Sequence, residues 1–252
     1  MRVIVIGGSS GIGAAIAARL EKDGHQVATL QRRASSHGIV LDLRWPLEQV
    51  RAAVEAQIHE IGGLDAVVVA GGVGAYQRAC AAYWMRGHLA DEYEHQVAEI
   101  LETNYRGPVY AIETALPHLA GAAAATAARE AEGEHPDATR FSRVLTLSST
   151  IPRNPPADLA TYAATKAALD VWMRAQARRW RRRGVLLNAL ATGWIETPMT
   201  EGIAPLKRRE IVAAIGAHRM GTVEEAAEAA VYFATGAPAY FSGDTIPMSG
   251  GL

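Results

Sequence analysis

The chain has 252 residues, a formal net charge of −1 and 49% hydrophobic residues. A near-neutral chain lacks the excess positive charge that draws proteins to nucleic acid, and no apolar run in it is long enough to span a membrane, so we expect neither partner. The single cysteine, Cys80, excludes an intrachain disulfide, and with no signal-peptide core after Met1 we expect a cytoplasmic protein.

The chain begins with the pattern of a strand, a glycine turn and a helix. Residues 2–6 form a β-branched run, GGSSGIG follows, and residues 14–22 are strongly helical. In this context the glycines are typical of a dinucleotide site: Gly7 permits the tight turn, Gly11 lets backbone amides approach a pyrophosphate, and Gly13 lets the helix pack closely on the strand. The phosphates are expected at the helix N-terminus, where free N–H groups favour anions. The predicted contacts in this turn are Gly7, Ser9, Ser10, Gly11, Ile12 and Gly13.

The end of the second predicted strand, residues 26–30, indicates which dinucleotide binds. Enzymes that use NAD place a carboxylate here on the ribose 2′-hydroxyl, whereas this chain has Arg32 and Arg33. A guanidinium pairs with a 2′-phosphate that a carboxylate would repel. We therefore predict NADP(H) as the cofactor, with two solvated loop arginines as the alternative.

Two further strands end in candidate cofactor contacts. Residues 38–41 lead into Asp42, which is predicted either to accept a hydrogen bond from the adenine amino group or to cap the helix that starts near Pro46. Residues 65–70 are nearly all apolar, which is typical of a strand covered on both faces. The predicted contacts after these two strands are Asp42, Leu43, Ala70, Gly71 and Gly72.

Helical and strand patterns alternate along the chain, which predicts an α/β fold with a doubly wound, parallel, Rossmann-type sheet in a single domain, residues 1–252. The remaining predicted elements are helices at 47–61, 97–119 with an alanine-rich extension to 128, and 162–183, strands at 144–147, 185–191 and 243–248, and a partly helical segment at 200–215. Prolines predict an irregular loop over residues 150–161, and Thr222 to Glu225 resembles a capping box.

The catalytic candidates are Ser149, Tyr162 and Lys166. Ser149 follows the apolar run 144–147, so its hydroxyl is expected at the carboxyl end of a strand, where ligands bind in open α/β sheets. Tyr162 and Lys166 lie four residues apart and share one face of a helix. A nearby ammonium lowers the pKa of a phenol, so the trio can exchange a proton with a carbonyl oxygen and hydrogen-bond it. Taken alone, such a pair is more often a half-buried aromatic beside a solvated amine, so the interpretation depends on the cofactor site upstream.

With these residues in view, the chain resembles the short-chain dehydrogenase/reductase family over essentially its whole length. The glycine turn matches the family's Thr-Gly-x-x-x-Gly-x-Gly motif, and Ser149, Tyr162 and Lys166 have the spacing of its catalytic residues. Three positions depart from the pattern. Ile6 stands where the glycine motif has threonine. Val69 stands where the Asn-Asn-Ala-Gly motif has an asparagine, and Thr192 replaces a proline in the loop after the sixth strand.

The resemblance implies further features of the site and the assembly. Asn104, in LETNYRG, matches the helix asparagine that holds a water in the family's proton relay, an ordinary polar helix residue being the alternative. Gly193, Ile195 and Thr197 match the loop beside the nicotinamide. A homo-oligomer, either a dimer or a tetramer, is also implied. No histidine or cysteine has the spacing of a metal site, so no metal is expected.

These features predict an NADPH-dependent carbonyl reductase, or a secondary alcohol dehydrogenase in the reverse direction, acting on a small apolar or aromatic ketone. The alternatives are a 3-oxoacyl-thioester reductase, a lyase on the same scaffold and a non-catalytic NADP(H)-binding regulator. Substrate loops are expected at residues 73–95, 150–161 and 194–215. The aromatic residues of the first loop, Tyr76, Tyr83 and Trp84, are expected to line a substrate pocket, to join subunits or to pack over the sheet edge.

Overall fold

The computed structural model describes residues 1–32, 38–73, 90–131 and 141–252. Seven strands form one parallel sheet in the order β3-β2-β1-β4-β5-β6-β7. The strands are β1 Arg2–Ile6, β2 Gln26–Gln31, β3 Gly38–Val40, β4 Ala66–Val69, β5 Ser142–Ser149, β6 Val185–Thr192 and β7 Thr245–Met248. The α-helices are α1 Gly11–Lys22, α2 Leu47–Glu60, α3 Ala90–Leu101, α4 Gly107–Ala131, α5 Ala160–Arg181, α6 Pro205–Ala214 and α7 Val223–Val231.

Different helices cover the two faces of the sheet because successive strand residues point to opposite faces. In β1, Val3 and Val5 pack into a core with α1 and α7, whereas Ile4 and Ile6 pack into a core with α2, α4 and α5. Every residue of β4, β5 and β6 is buried. A parallel sheet covered on both faces confirms the predicted doubly wound α/β fold.

The strand order creates a cleft at the carboxyl ends of β1 and β4. β1 lies inside the sheet, with β2 and β3 on one side and β4 to β7 on the other. The connections that leave β1 and β4 therefore diverge, and open α/β sheets bind their ligands at such a switch point. The segments that follow β1, β4, β5 and β6 meet at this edge.

The long helix predicted over residues 97–119 is two helices joined by a π-turn. This turn, Glu102–Arg106, separates α3 from α4. It accompanies a tertiary contact that periodicity does not show: Gly107 lies so close to Leu43 that a Cβ on the glycine would be 2.6 Å from the Cβ of Leu43. The prediction of one regular helix is wrong at this point, and π-turns of this kind are frequent at functional sites.

Residues 150–161 hold more regular structure than the predicted loop. Two 3-10 turns, Ile151–Arg153 and Ala157–Leu159, precede α5, and a proline stands at the start of each, where its missing N–H costs no helical hydrogen bond. The capping box before α7 is confirmed. Thr222 Oγ1 accepts a hydrogen bond from the Glu225 backbone N at 3.2 Å, and Glu225 Oε2 accepts one from the Thr222 backbone N at 2.9 Å.

Some predictions lie outside the described residues, namely those that concern Arg33 and the aromatic cluster of Tyr76, Tyr83 and Trp84. Within the described ranges, no helix is both long enough and apolar enough to cross a membrane. Within the same ranges, no three metal-binding side chains gather into a cluster.

Candidate active site

The carboxyl ends of the central strands open into a cavity of about 340 Å³. Most of the predicted site residues line this cleft, although they come from distant parts of the chain. They are Gly7, Ser9, Ser10, Gly11, Ile12, Gly13, Arg32, Asp42, Leu43, Ala70, Gly71, Gly72, Ser149, Tyr162, Lys166, Gly193, Ile195 and Thr197. Asn104 is fully buried behind the wall, and Arg33 lies outside the described residues.

The turn between β1 and α1 has the close packing that a dinucleotide site needs. Gly7 has a φ of +88°, and a Cβ on it would collide with the backbone N of Gly71. A Cβ on Gly13 would collide with the carbonyl oxygen of Gly7, so α1 starts directly against the turn. The side chain of Ser10, the N-cap residue, does not cap the first turn of α1. The amides there are therefore not taken up by a side-chain cap, and they fit a pyrophosphate.

Arg32 and Asp42 stand at the end of the cleft nearest β2 and β3. Arg32 is exposed just after β2. The Asp42 carboxylate accepts hydrogen bonds from the backbone N of Arg44 at 3.0 Å and from its Nε at 2.9 Å, and these bonds lower the pKa of Asp42. Arg44 also contacts Glu99 at 3.0 Å. The N-cap residue of α2 is Pro46, so the alternative prediction that Asp42 caps this helix is wrong.

The structure brings Ser149, Tyr162 and Lys166 together on one wall of the cleft. Ser149 ends β5, and its Oγ accepts a hydrogen bond from the backbone N of Ile151 at 3.2 Å. Tyr162 lies in the first turn of α5 and lines the cleft together with Ser149. Lys166 lies one turn later, with its Nζ 5.8 Å from the centre of the Tyr162 ring. Nζ donates a hydrogen bond to the carbonyl oxygen of Leu147 at 2.9 Å.

Burial dominates the protonation of this group. It raises the pKa of the Tyr162 phenol, and the neighbouring Ser149 hydroxyl opposes that rise. Burial also lowers the pKa of Lys166 to about 8. The ammonium was expected to lower the phenol pKa. This expectation is wrong for the structure, because desolvation raises the phenol pKa. A phenol with a raised pKa keeps its proton at neutral pH.

Asn104 anchors the chain where it leaves β4. It lies in the π-turn between α3 and α4, where its Oδ1 accepts a hydrogen bond from the backbone N of Val73 at 2.8 Å and its Nδ2 donates one to the Val73 carbonyl oxygen at 2.9 Å. A Cβ built on Gly72 would lie 3.2 Å from Asn104 Oδ1 and 3.5 Å from Lys166 Nζ. Asn104 thus stands beside the ammonium, and its part in a proton relay stays a prediction.

Two of the three departures from the family pattern, Val69 and Thr192, have local explanations. Val69 is buried in the apolar core beneath α2 and α4, and the exit of β4 is held by Asn104 instead. Thr192 pairs with Ser149 as the last residue of β6, and its Oγ1 donates a hydrogen bond to the Ser148 carbonyl oxygen at 3.4 Å. Both replacements leave the sheet intact at the edge where the cleft opens.

A buried carboxylate that was not predicted lies beside the candidate catalytic trio. Asp170 lies one turn after Lys166 on α5 and is only 9% exposed. Its Oδ2 accepts a hydrogen bond from Ser148 Oγ at 2.9 Å. Its spacing of four residues from Lys166 was a usable signal, because such pairs are neighbours on a helix. Gln31 and Thr103 also line the cleft without having been predicted, whereas Ile151, Leu159, Trp194, Pro198, Met199 and Thr200 belong to the predicted substrate loops 150–161 and 194–215.

Comparison with known proteins agrees with this geometry. Residues 7–252 match a family model described as enoyl-(acyl carrier protein) reductase. The chain belongs to the short-chain dehydrogenase/reductase family. It is similar to the 3-oxoacyl-[acyl-carrier-protein] reductase FabG of Vibrio cholerae, with 29% identity across 99% of this chain and 96% of that protein. The 3-oxoacyl-[acyl-carrier-protein] reductase MabA of Mycobacterium bovis is 28% identical across 99% of this chain and 92% of its own length.

Solved structures share the fold of this short-chain dehydrogenase/reductase. The aldohexose dehydrogenase of Thermoplasma acidophilum superposes with a TM-score of 0.79 and 22% identity, covering 100% of this chain and 93% of that one. The protein gox2181 superposes with a TM-score of 0.82 and 20% identity, covering 99% and 94%. Family membership makes the protein an oxidoreductase that acts on CH–OH or C=O groups and binds a nicotinamide cofactor.

Proposed function

We propose that this protein reduces a ketone with NADPH, or oxidises the corresponding secondary alcohol in the reverse direction. The observation that carries the proposal is the Tyr162 phenol, which lines the same cleft as Ser149, Lys166 and the glycine turn. A bound nicotinamide supplies the hydride in this chemistry. The residues of the chain supply the proton and hold the reacting oxygen.

Tyr162 is the proton donor to that oxygen. Burial raises the pKa of the phenol, so it is protonated at neutral pH and can give its proton to a more basic alkoxide. Ser149 hydrogen-bonds the same oxygen from the end of β5. The ammonium of Lys166, 5.8 Å from the ring centre, stabilises the phenolate that remains.

The choice of NADP(H) rests on Arg32. It is exposed where β2 ends and lines the cleft, at the position where a carboxylate would select NAD. The charged Asp42 is the proposed acceptor for the adenine amino group. The residues proposed to hold the nicotinamide end are Gly193, Ile195, Thr197, Tyr162 and Lys166.

The substrate class is proposed from a second cavity beside the first. It measures about 410 Å³ and shares Ile151, Leu159 and Trp194 with the first cavity, so the two adjoin. Pro155 and Pro156 add apolar lining, which suits the body of an apolar ketone. A 3-oxoacyl thioester is the second candidate, because the relatives from Vibrio cholerae and Mycobacterium bovis are named as reductases of that class.

Replacement of the phenol tests the mechanism. Tyr162→Phe removes the proton donor and retains the ring, so we expect kcat to fall by about a hundredfold or more. The measurement is the loss of NADPH absorbance with ethyl 3-oxobutanoate and, separately, with 3-oxobutanoyl-coenzyme A. Fluorescence titration should show that the variant still binds NADPH, and full turnover by the variant contradicts the mechanism. The substrate with the higher kcat/KM in the unaltered protein decides between the two candidate classes.

A charge reversal tests the cofactor assignment. Arg32→Asp should weaken NADPH binding by about tenfold or more and weaken NADH binding much less, because only the 2′-phosphate meets the new carboxylate. Fluorescence titration with both cofactors gives the ratio. The matched control is Arg51→Asp, at an exposed position of α2 that does not line the cleft. An unchanged NADPH/NADH ratio in Arg32→Asp rules out the assignment.

We also propose that the chain forms a homo-oligomer through the edge of the sheet at β7. The segment before this strand exposes aromatic side chains, with Tyr240 97% exposed and Phe241 37% exposed. Apolar side chains beside an unpaired edge strand are typical of a contact between subunits.

A further inference from the structure

The charge on Lys166 has little support from its immediate hydrogen bonds. The residue is 6% exposed, and its Nζ donates one hydrogen bond, to the Leu147 carbonyl oxygen. An ammonium has three donors and loses much of its hydration when it is buried. A buried ammonium of this kind needs an opposite charge nearby, or it loses its proton.

Asp170 is the carboxylate that meets this need. It follows Lys166 by four residues on α5, so the two side chains lie on the same helix face with Cβ atoms about 5–6 Å apart. Within the described part of the chain, no hydrogen bond joins the two groups, so they act on each other through space. Ser148 Oγ holds Oδ2 at 2.9 Å, and Oδ1 has no hydrogen-bond partner among the described residues.

We propose that Asp170 is a positioning residue for catalysis, whose carboxylate, fixed by Ser148, keeps Lys166 charged inside the protein. The charge is then available to the phenol of Tyr162. The role in turnover rests on the proposed reductase function, whereas the effect on Lys166 itself does not.

Several other groups near Asp170 affect the charge of its carboxyl group. Arg174 lies one turn further along α5, and Arg153 lies on the 3-10 turn that follows β5. Burial raises the pKa of the Asp170 carboxyl, and the hydrogen bond from Ser148, the ammonium of Lys166 and both arginines oppose that rise. The π-turn and β5 contribute the neutral side chains of Asn104 and Ser148. Tyr162 is the remaining titratable group on this face of the helix.

The chain offers a direct measurement because it has three lysines, Lys22, Lys166 and Lys207. In protein labelled with ¹³C-lysine and studied without added cofactor, each lysine gives one Cε signal. Lys166→Arg identifies the signal of interest by removing it. The pKa of Lys166 in the unaltered protein is expected at about 8.

Asp170→Asn should lower the pKa of Lys166 by about one unit, because removal of a nearby negative charge disfavours the ammonium. Asp170→Glu should restore most of the loss. Asp23→Asn removes the same charge at the far end of α1 and should leave the Lys166 signal unchanged. An unchanged or higher pKa of Lys166 in Asp170→Asn overturns the proposal, whatever the enzyme assay shows.

A second measurement needs no variant at Asp170. In the unaltered protein, the Lys166 signal should show a main step near pH 8 and a smaller step at lower pH as the Asp170 carboxyl titrates. A single step overturns the proposal. In an active preparation, Asp170→Asn should also move the alkaline fall of kcat to lower pH, a shift that a merely structural role would not produce.

Discussion

Lys166 carries a positive charge in a place that water hardly reaches. Burial lowers its pKa to about 8 from an ordinary value of 10.5. Each pKa unit corresponds to about 1.4 kcal/mol, so the folded chain spends free energy to keep this charge below pH 8. Function and stability therefore compete at this one side chain, as they commonly do in active sites.

Lys166→Met should expose that competition. At pH 7 we expect the free energy of unfolding to rise by at most about 2 kcal/mol, since the variant avoids the burial of the ammonium but loses the hydrogen bond to Leu147 and leaves the Asp170 carboxylate without its counter-charge. The unfolded chain binds more protons than the folded one between about pH 8 and pH 10.5, so the stability of the unaltered protein rises through this window. The advantage of the variant should therefore shrink over the same range. Urea denaturation at several pH values measures it.

The control for this experiment is Lys207→Met, whose side chain is 56% exposed and pairs with Glu210 on the surface. Surface pairs of this kind contribute little, so stability should change by a few tenths of a kcal/mol at every pH. If Lys166→Met is destabilising below pH 8 and the control is neutral, burial of the charge is not a net cost to the fold.

At the level of elements, the π-turn fixes how α4 meets the strand layer. Gly107 follows the turn, and the backbone of Gly107 packs directly on Leu43 at the wall of the cleft. The same turn holds Asn104 against Val73. The π-turn at the start of α4 thus contacts both the segment that follows β3, at Leu43, and the segment that follows β4, at Val73.

Two glycines of α4 provide a matched test of that packing. Gly107→Ala should destabilise the protein by about 2 kcal/mol and weaken cofactor binding, because the new Cβ has to displace the backbone of Leu43. Gly121→Ala meets nothing within 4 Å and should stabilise the helix by about 0.5–1 kcal/mol. Thermal unfolding and NADPH titration measure both effects. Equal changes in stability in the two variants would show that the backbone of Leu43 moves aside at little cost in free energy.

At the level of the whole molecule, the features that could be predicted are those that short stretches of sequence determine. Apolar runs predicted β1, β4, β5 and β6 within a residue or two, and the glycine turn and the trio from Ser149 to Lys166 located the cleft. Local patterns of this kind carry the fold because strand burial and helix capping act over a few residues.

The features that escaped prediction depend on contacts between distant segments. The π-turn accompanies the approach of Gly107 to Leu43, sixty-four positions apart in the numbering of the chain. The ordinary pKa values of Tyr162 and Lys166 fail as guides because burial arises only when α5 packs on the sheet. Asp42 hydrogen-bonds Arg44 and does not cap α2, and the helical pattern of the sequence does not indicate which of these two partners it takes.

The double hydrogen bond between Asn104 and Val73 has a consequence for how this protein can diversify. It fixes the chain just after β4, beside Lys166. Any change in sequence or length beyond Val73 therefore begins at a residue whose position is fixed. The entropy cost of closing a longer segment grows only slowly with its length. A change in the chain beyond Val73 therefore need not disturb the packing around Asn104 and Lys166.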